Sequence, residues 1–171
     1  MDAPLIRRAA PADAQVLADL GRVTFVEKFA HLYPPADLQA YFAGTYTAEA
    51  FRADLESPSE AMWLAGGADG RPLGYAHAGA CKLPHLEVTP QCGELKRIYV
   101  RSAAQNLGLG ARLLKTALDW LERPGRRLWL GVWSENLDAQ RFYRRHGFER
   151  VGEYKFPVGQ TLDDEFILRR G

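Results

Sequence analysis

The chain has 171 residues, 47% hydrophobic and 25% charged, with a net charge of +1. At about 150 residues per domain this predicts one domain, 1–171, able to bury about 70% of its unfolded surface. That balance excludes a disordered tail or a fibre, and the small net charge argues against nucleic acid as a partner.

No apolar run nears the ~18 residues of a membrane span, and the opening MDAPLIRRAA lacks a signal-like apolar core. A cytoplasmic protein with no membrane partner is expected. Leu5–Arg8 reads as a strand. From Asp13 towards Phe29 the apolar spacing is helical, with Val16, Leu17, Leu20, Val23 and Thr24 assigned to one face. His31-Leu-Tyr-Pro-Pro35 breaks this helix. Further helices are predicted over Asp37–Tyr46 and from Thr47, a good N-cap, to Leu55. Ala61–Gly66 and Leu73–Ala80 read as a hairpin around Gly67-Ala-Asp-Gly70. A loop over Lys82–Gly93 leads to a strand at Glu94–Val100. Gly108–Leu121 is a helix with Leu113, Leu114, Ala117, Leu118 and Leu121 on one stripe. Leu128–Trp133 is apolar on both faces, as a doubly covered strand requires. A helix over Asn136–His146 stops at Gly147, and strands near Arg150–Phe156 and Glu165–Arg169 complete a mixed α/β sheet with helices on both faces.

Charge is uneven along the chain. Residues 1–93 carry 7 basic and 11 acidic side chains, residues 94–171 carry 15 and 10. This suits an anionic ligand on the second half and a cationic one near the first, or solvated faces of no function. Arg101-Ser-Ala-Ala-Gln105-Asn-Leu-Gly108-Leu-Gly110 joins a strand to a helix. Glycines there let a phosphate approach bare N–H groups at the helix N-terminus, or simply make a tight turn. No Gly-Lys-Ser/Thr follows, which excludes a Walker loop, and the third glycine of a dinucleotide fingerprint is missing.

Gln105-x-x-Gly108-x-Gly110 after a strand, followed by Asn136, Tyr143 and Gly147-Phe148 on the next strand-helix unit, resembles the GCN5-related N-acetyltransferase superfamily. Glu94-Leu-Lys-Arg-Ile-Tyr-Val100, Leu128–Asn136, Gly152–Gly159 and Thr24–Phe29 look like the bacterial PaiA-type spermidine/spermine acetyltransferases, from which Leu162–Leu168 departs. The resemblance implies a mostly antiparallel sheet with a central parallel strand pair splayed around acetyl-CoA. It implies that main-chain groups of Ile98, Tyr99 and Val100 run along the pantetheine. Gln105, Asn106, Leu107, Gly108, Leu109, Gly110 and Ala111 would hold the pyrophosphate. The acceptor would be a small-molecule amine, a polyamine or another small cation; alternatives are a protein N-terminus or lysine, or a CoA-binding sensor without turnover. A monomer or homodimer is expected.

Asn136 reads as an N-cap, as a hydrogen-bond partner of a pantetheine amide, or as both. Tyr143 is either a core-edge aromatic or, as the resemblance implies, the acid that protonates the departing thiolate. Glu94 is either a surface carboxylate or the base that takes the amine proton. Strict alternation puts Leu95 and Ile98 on opposite faces; a bulge would reconcile them and aim a backbone N–H at the thioester carbonyl, and regular pairing through Ile98–Val100 would count against that site. His31 and Tyr33 follow the first helix, where family members shape the acceptor pocket. Phe25, Phe29, Tyr41 and Phe42 read as packing. The four histidines lack metal-ligand spacing, so no metal is expected, and Cys81 and Cys92 read as reduced thiols.

Overall fold

The computed structural model describes residues 3–171. Among these, the strands are β1 (Leu5–Arg8), β2 (Glu60–Gly66), β3 (Pro72–Ala80), β4 (Gly93–Val100), β5 (Leu128–Trp133), β6 (Glu149–Val158) and β7 (Thr161–Arg170). The helices are α1 (Ala14–Phe29), α2 (Pro35–Thr45), α3 (Ala48–Glu56), α4 (Leu109–Leu121) and α5 (Leu137–Arg145). The strands form one sheet in the order β1-β2-β3-β4-β5-β7-β6, antiparallel throughout except for the β4–β5 pair.

Helices cover both faces because β2, β3 and β5 are buried along nearly their whole length. One core joins Leu113, Leu114, Ala117, Leu118 and Leu121 of α4 and Tyr143 of α5 to Leu95, Leu128 and Leu130. On the opposite face, Leu17, Leu20 and Phe25 of α1, Phe51 of α3 and partly buried Tyr41 and Phe42 of α2 pack on Met62, Leu64 and Tyr75. A smaller cluster under the loop after β3 contains Leu83, Cys92, Trp129 and Ile167. Both cysteines are free thiols.

Three details differ from the sequence expectation. The buried stripe of α1 is Ala14, Leu17, Ala18, Leu20, Gly21, Thr24 and Phe25, while Val16 and Val23 remain 38% and 37% exposed. Gly21 decides this rotation: a Cβ there would stand 2.5 Å from the Tyr46 ring, so this turn makes the close contact. Helix α2 begins at Pro35 rather than Asp37, because proline is preorganised for a first helical position and its missing N–H costs nothing there. Strands β6 and β7 are longer than expected and meet at Gly159-Gln160. Pro157 is tolerated because β6 is the sheet edge.

Buried Asp37 of α2 fastens that hairpin turn, accepting from the Gln160 N–H at 2.9 Å and the Thr161 hydroxyl at 2.6 Å. Gly159 has φ +59, and a Cβ on it would lie 2.5 Å from the Asp37 Cα. Gly70 has a similar φ of +78 but open space around it. Both would carry left-handed strain as alanine, and only Gly159 adds the clash. Gly159→Ala is therefore expected to lower Tm by at least about 4 °C more than Gly70→Ala, given about 2–4 °C per kcal/mol at this chain length. Equal losses in scanning calorimetry would contradict the close approach of α2 to the turn.

Candidate active site

Strands β4 and β5 pair only at Gly93–Leu128 and Glu94–Trp129. Beyond that point the two edges diverge. On its other side β4 pairs with β3, but Leu95 and Arg97 face consecutive residues Ala78 and His77, leaving Lys96 as an extra, bulged residue. The bulge brings Leu95 and Ile98 onto the same core, as the sequence required. Its position corrects one expectation. Pairing with β3 is regular through Ile98–Val100, which counts against an oxyanion site in that segment; the irregularity lies upstream, at Lys96.

A cavity of about 390 Å³ fills the gap. Its walls bring together Glu94, Ile98, Tyr99, Asn136, Tyr143 and Tyr33, with Asp163 and Glu165 from β7. Val100 and Gln105 line an adjoining cavity of about 400 Å³, which shares Lys28, Ile98 and Tyr99 with the first. His31 is exposed in a 3-10 turn, outside these walls; the same turn directs Tyr33 inward, where its hydroxyl donates to Asp163.

At the start of α4, Asn106 and Gly108 have φ of 64° and 73°, and Gln105 donates to the Val100 carbonyl at 3.3 Å. A Cβ at Gly108 or Gly110 would meet nothing within 4 Å, so the helix N-terminus is open around both. Asn106, Leu107, Leu109, Gly110 and Ala111 belong to this loop and first turn, outside the two cavities. The loop is tied to α1 by Glu27, which accepts from the Ser102 N–H and from Arg101 Nε, each at 2.9 Å. Sequence reasoning missed Glu27, because its partners lie more than 70 positions away.

Asn136 caps α5, its side-chain oxygen accepting from the Ala139 N–H at 3.2 Å, while its NH₂ group has no partner among the described residues. Tyr143 is buried, its hydroxyl has no hydrogen bond among the described residues, and burial pushes its pKa up, so it keeps its proton. Glu94 accepts from the Lys82 N–H at 2.9 Å, and burial raises its pKa towards that of a useful base. Glu165 is pushed up to about 7, first by burial and then by the charges of Asp163 and Glu94, against a 2.8 Å hydrogen bond from Tyr154.

The arrangement offers an open helix N-terminus, a gap between parallel strands, and a protonated phenol and a half-buried carboxylate on its walls. This is the architecture of an acyl-CoA-dependent transferase. The acetyltransferase (GNAT) family matches residues 26–148, and the chain belongs to it; it is an acetyl-CoA-dependent N-acetyltransferase. Over 156 residues it is 30% identical to an N-acetyltransferase from the pepI 3' region of Lactobacillus delbrueckii subsp. lactis, covering 88% of this chain and 87% of that one. It is 33% identical over 160 residues to the N-alpha-acetyltransferase RimI of Mycobacterium tuberculosis, covering 93% and 87%. The crystal structure of PaiA N-acetyltransferase from Thermoplasma acidophilum in complex with coenzyme A superposes with a TM-score of 0.77 over 99% of each chain, at 18% identity, a likeness of fold. Among the described residues no helix is long and apolar enough to cross a membrane.

Glu165 yields a pH test. Its folded pKa is raised above the ordinary 4.5, so its contribution to stability is complete below about pH 4.5 and is lost as pH rises through about 7. Glu165→Gln cannot ionise. Its stability relative to the unsubstituted protein should therefore rise between pH 5 and pH 8 in urea denaturation, whereas a pH-independent difference would contradict the buried setting.

Proposed function

We propose that residues 1–171 form one domain that transfers the acetyl group of acetyl-CoA to a small primary amine by direct attack. The observation that supports this most is the early end of the β4–β5 pairing, with Glu94 and Tyr143 on the walls of the same gap. The loop Gln105–Ala111 holds the pyrophosphate at the α4 N-terminus. The free edge of β4 from Ile98 to Val100 runs along the pantetheine, and the Asn136 NH₂ donates to one of its amides.

An amine of pKa ~10 arrives as an ammonium ion and must lose a proton before it can attack. Glu94 takes that proton. The amine nitrogen then forms the C–N bond, and N–H groups on the free β4 edge beside the Lys96 bulge receive the developing oxyanion. As the C–S bond breaks, Tyr143 gives its proton to the sulfur; the surplus proton on the new amide nitrogen restores the phenol, and Glu94 sheds its proton to solvent. Asp163 and Glu165 draw the ammonium in, and Tyr33 holds Asp163 in place. The PaiA resemblance makes polyamines one group of acceptors to test. The 33% identity to an N-alpha-acetyltransferase favours a protein N-terminus as the second reading, which a peptide panel tests directly.

Tyr143→Phe removes a hydroxyl that has no hydrogen bond among the described residues, so folding loses nothing that the phenol was holding. Loss of a general acid lowers kcat by about 10²-fold or more, with little change in the KM for acetyl-CoA. A kcat within twofold of the unsubstituted enzyme would remove Tyr143 from the mechanism, and a raised KM at normal kcat would make it a cofactor contact.

A further inference from the structure

Arg97 lies beside the bulge and lines the cavity. Its guanidinium stacks over Tyr46 and Phe51, with Cζ 5.2 and 5.5 Å from the ring centroids. Stacking occupies its faces and leaves five N–H donors to be satisfied at its edge. Among the described residues no carboxylate pairs with it. Neighbouring Lys96, by contrast, is engaged by Glu60 at 3.2 Å.

The polar groups that share the aromatic bay of Arg97 are tyrosine hydroxyls, each able to donate. Tyr41, Tyr46 and Tyr99 line the same cavity, and Tyr75 lies beneath them, fully buried, with its hydroxyl unpartnered. Burial holds Tyr41, Tyr75 and Tyr99 in the neutral, proton-bearing form. A guanidinium with no carboxylate paired to it, set among phenols that can each donate, suits an anion.

The bulge relates this bay to the reacting end of the cavity. Glu94 faces Gly79 and Arg97 faces His77, positions two apart on β3 and so on one face of the sheet. Were Lys96 regularly paired instead of bulged, Glu94 and Arg97, three positions apart, would point to opposite faces. One strand therefore presents to the same cavity a carboxylate at the acetyl end and an unpaired cation further along. Resting on the acetyltransferase reading above, we propose that the acceptor is a primary amine that also carries a carboxylate, of the amino-acid class. Its amine is held at Glu94 and its carboxylate at Arg97 and the surrounding tyrosine hydroxyls. A polyamine has no group to offer this bay.

Matched acceptor pairs differing only in the carboxylate test the proposal on the unsubstituted enzyme: lysine against cadaverine, ornithine against putrescine, phenylalanine against phenethylamine. Thiol release from acetyl-CoA is followed for each. At least one amino acid is expected to exceed its decarboxylated partner tenfold or more in kcat/KM. Arg97→Lys, which keeps the charge but loses the planar fork, should cut the amino acid's advantage in kcat/KM over its decarboxylated partner tenfold, through a raised KM for the amino acid; an unchanged ratio overturns the proposal. Equal or better use of the decarboxylated amines overturns the proposal and leaves the transferase reading intact. Release with peptides alone overturns it in favour of a protein acceptor. No release with any amine overturns both.

Discussion

Strand β4 carries one residue more than its partner β3 can pair, and the site depends on that mismatch. The extra residue, Lys96, turns Leu95 and Ile98 to one core and Glu94 and Arg97 to the other face. The bulge is anchored rather than loose. The Lys96 ammonium meets Glu60, 5% exposed, whose second oxygen lies 2.7 Å from buried His77. Gly79 makes room for that carboxylate, since a Cβ there would come within 2.1 Å of it. Removing one partner of a buried pair costs about 3–5 kcal/mol, because the other charge is left uncompensated. The distortion is thus fixed by groups outside the reacting centre.

The sheet divides the work between its faces. Helices α4 and α5 supply an apolar core, an open helix N-terminus and the Tyr143 hydroxyl. On the other side α1, α2 and the β6–β7 hairpin close over the cavity, with Tyr33, Asp163 and Glu165 contributed from distant parts of the chain. Asp37 locks α2 to the hairpin, and Glu27 locks α1 to the loop before α4. These two carboxylates are the ties that keep both ends of the cavity in register with the β4–β5 gap.

What the sequence revealed follows from how local each signal is. The α4 stripe, the Thr47 and Asn136 caps and the apolar run Leu128–Trp133 are written within a few turns or one strand, and each forms where expected. Glu94, Asn136 and Tyr143 were legible as a set only through the family resemblance, since each alone read equally as a surface carboxylate, a helix cap or a core-edge aromatic; they line one cavity. The β4 bulge was legible as a conflict between two buried positions, although its position was not. Glu27, Asp37 and Asp163 were illegible, since each works through a partner 74 to 130 residues away. His31 misled for the opposite reason: its neighbour Tyr33 enters the site, and the 3-10 turn between them leaves the histidine in solvent.

The central claim is that the unpaired edge of β4 is the surface on which coenzyme A lies. Amide hydrogen exchange, measured with and without saturating coenzyme A, reads that edge directly, because its N–H groups gain partners only when the pantetheine is in place. The account predicts slowed exchange at Leu95–Val100 and at Gln105–Ala111, with β1 and β2 unchanged. Unaltered exchange along β4 under saturating coenzyme A would contradict it.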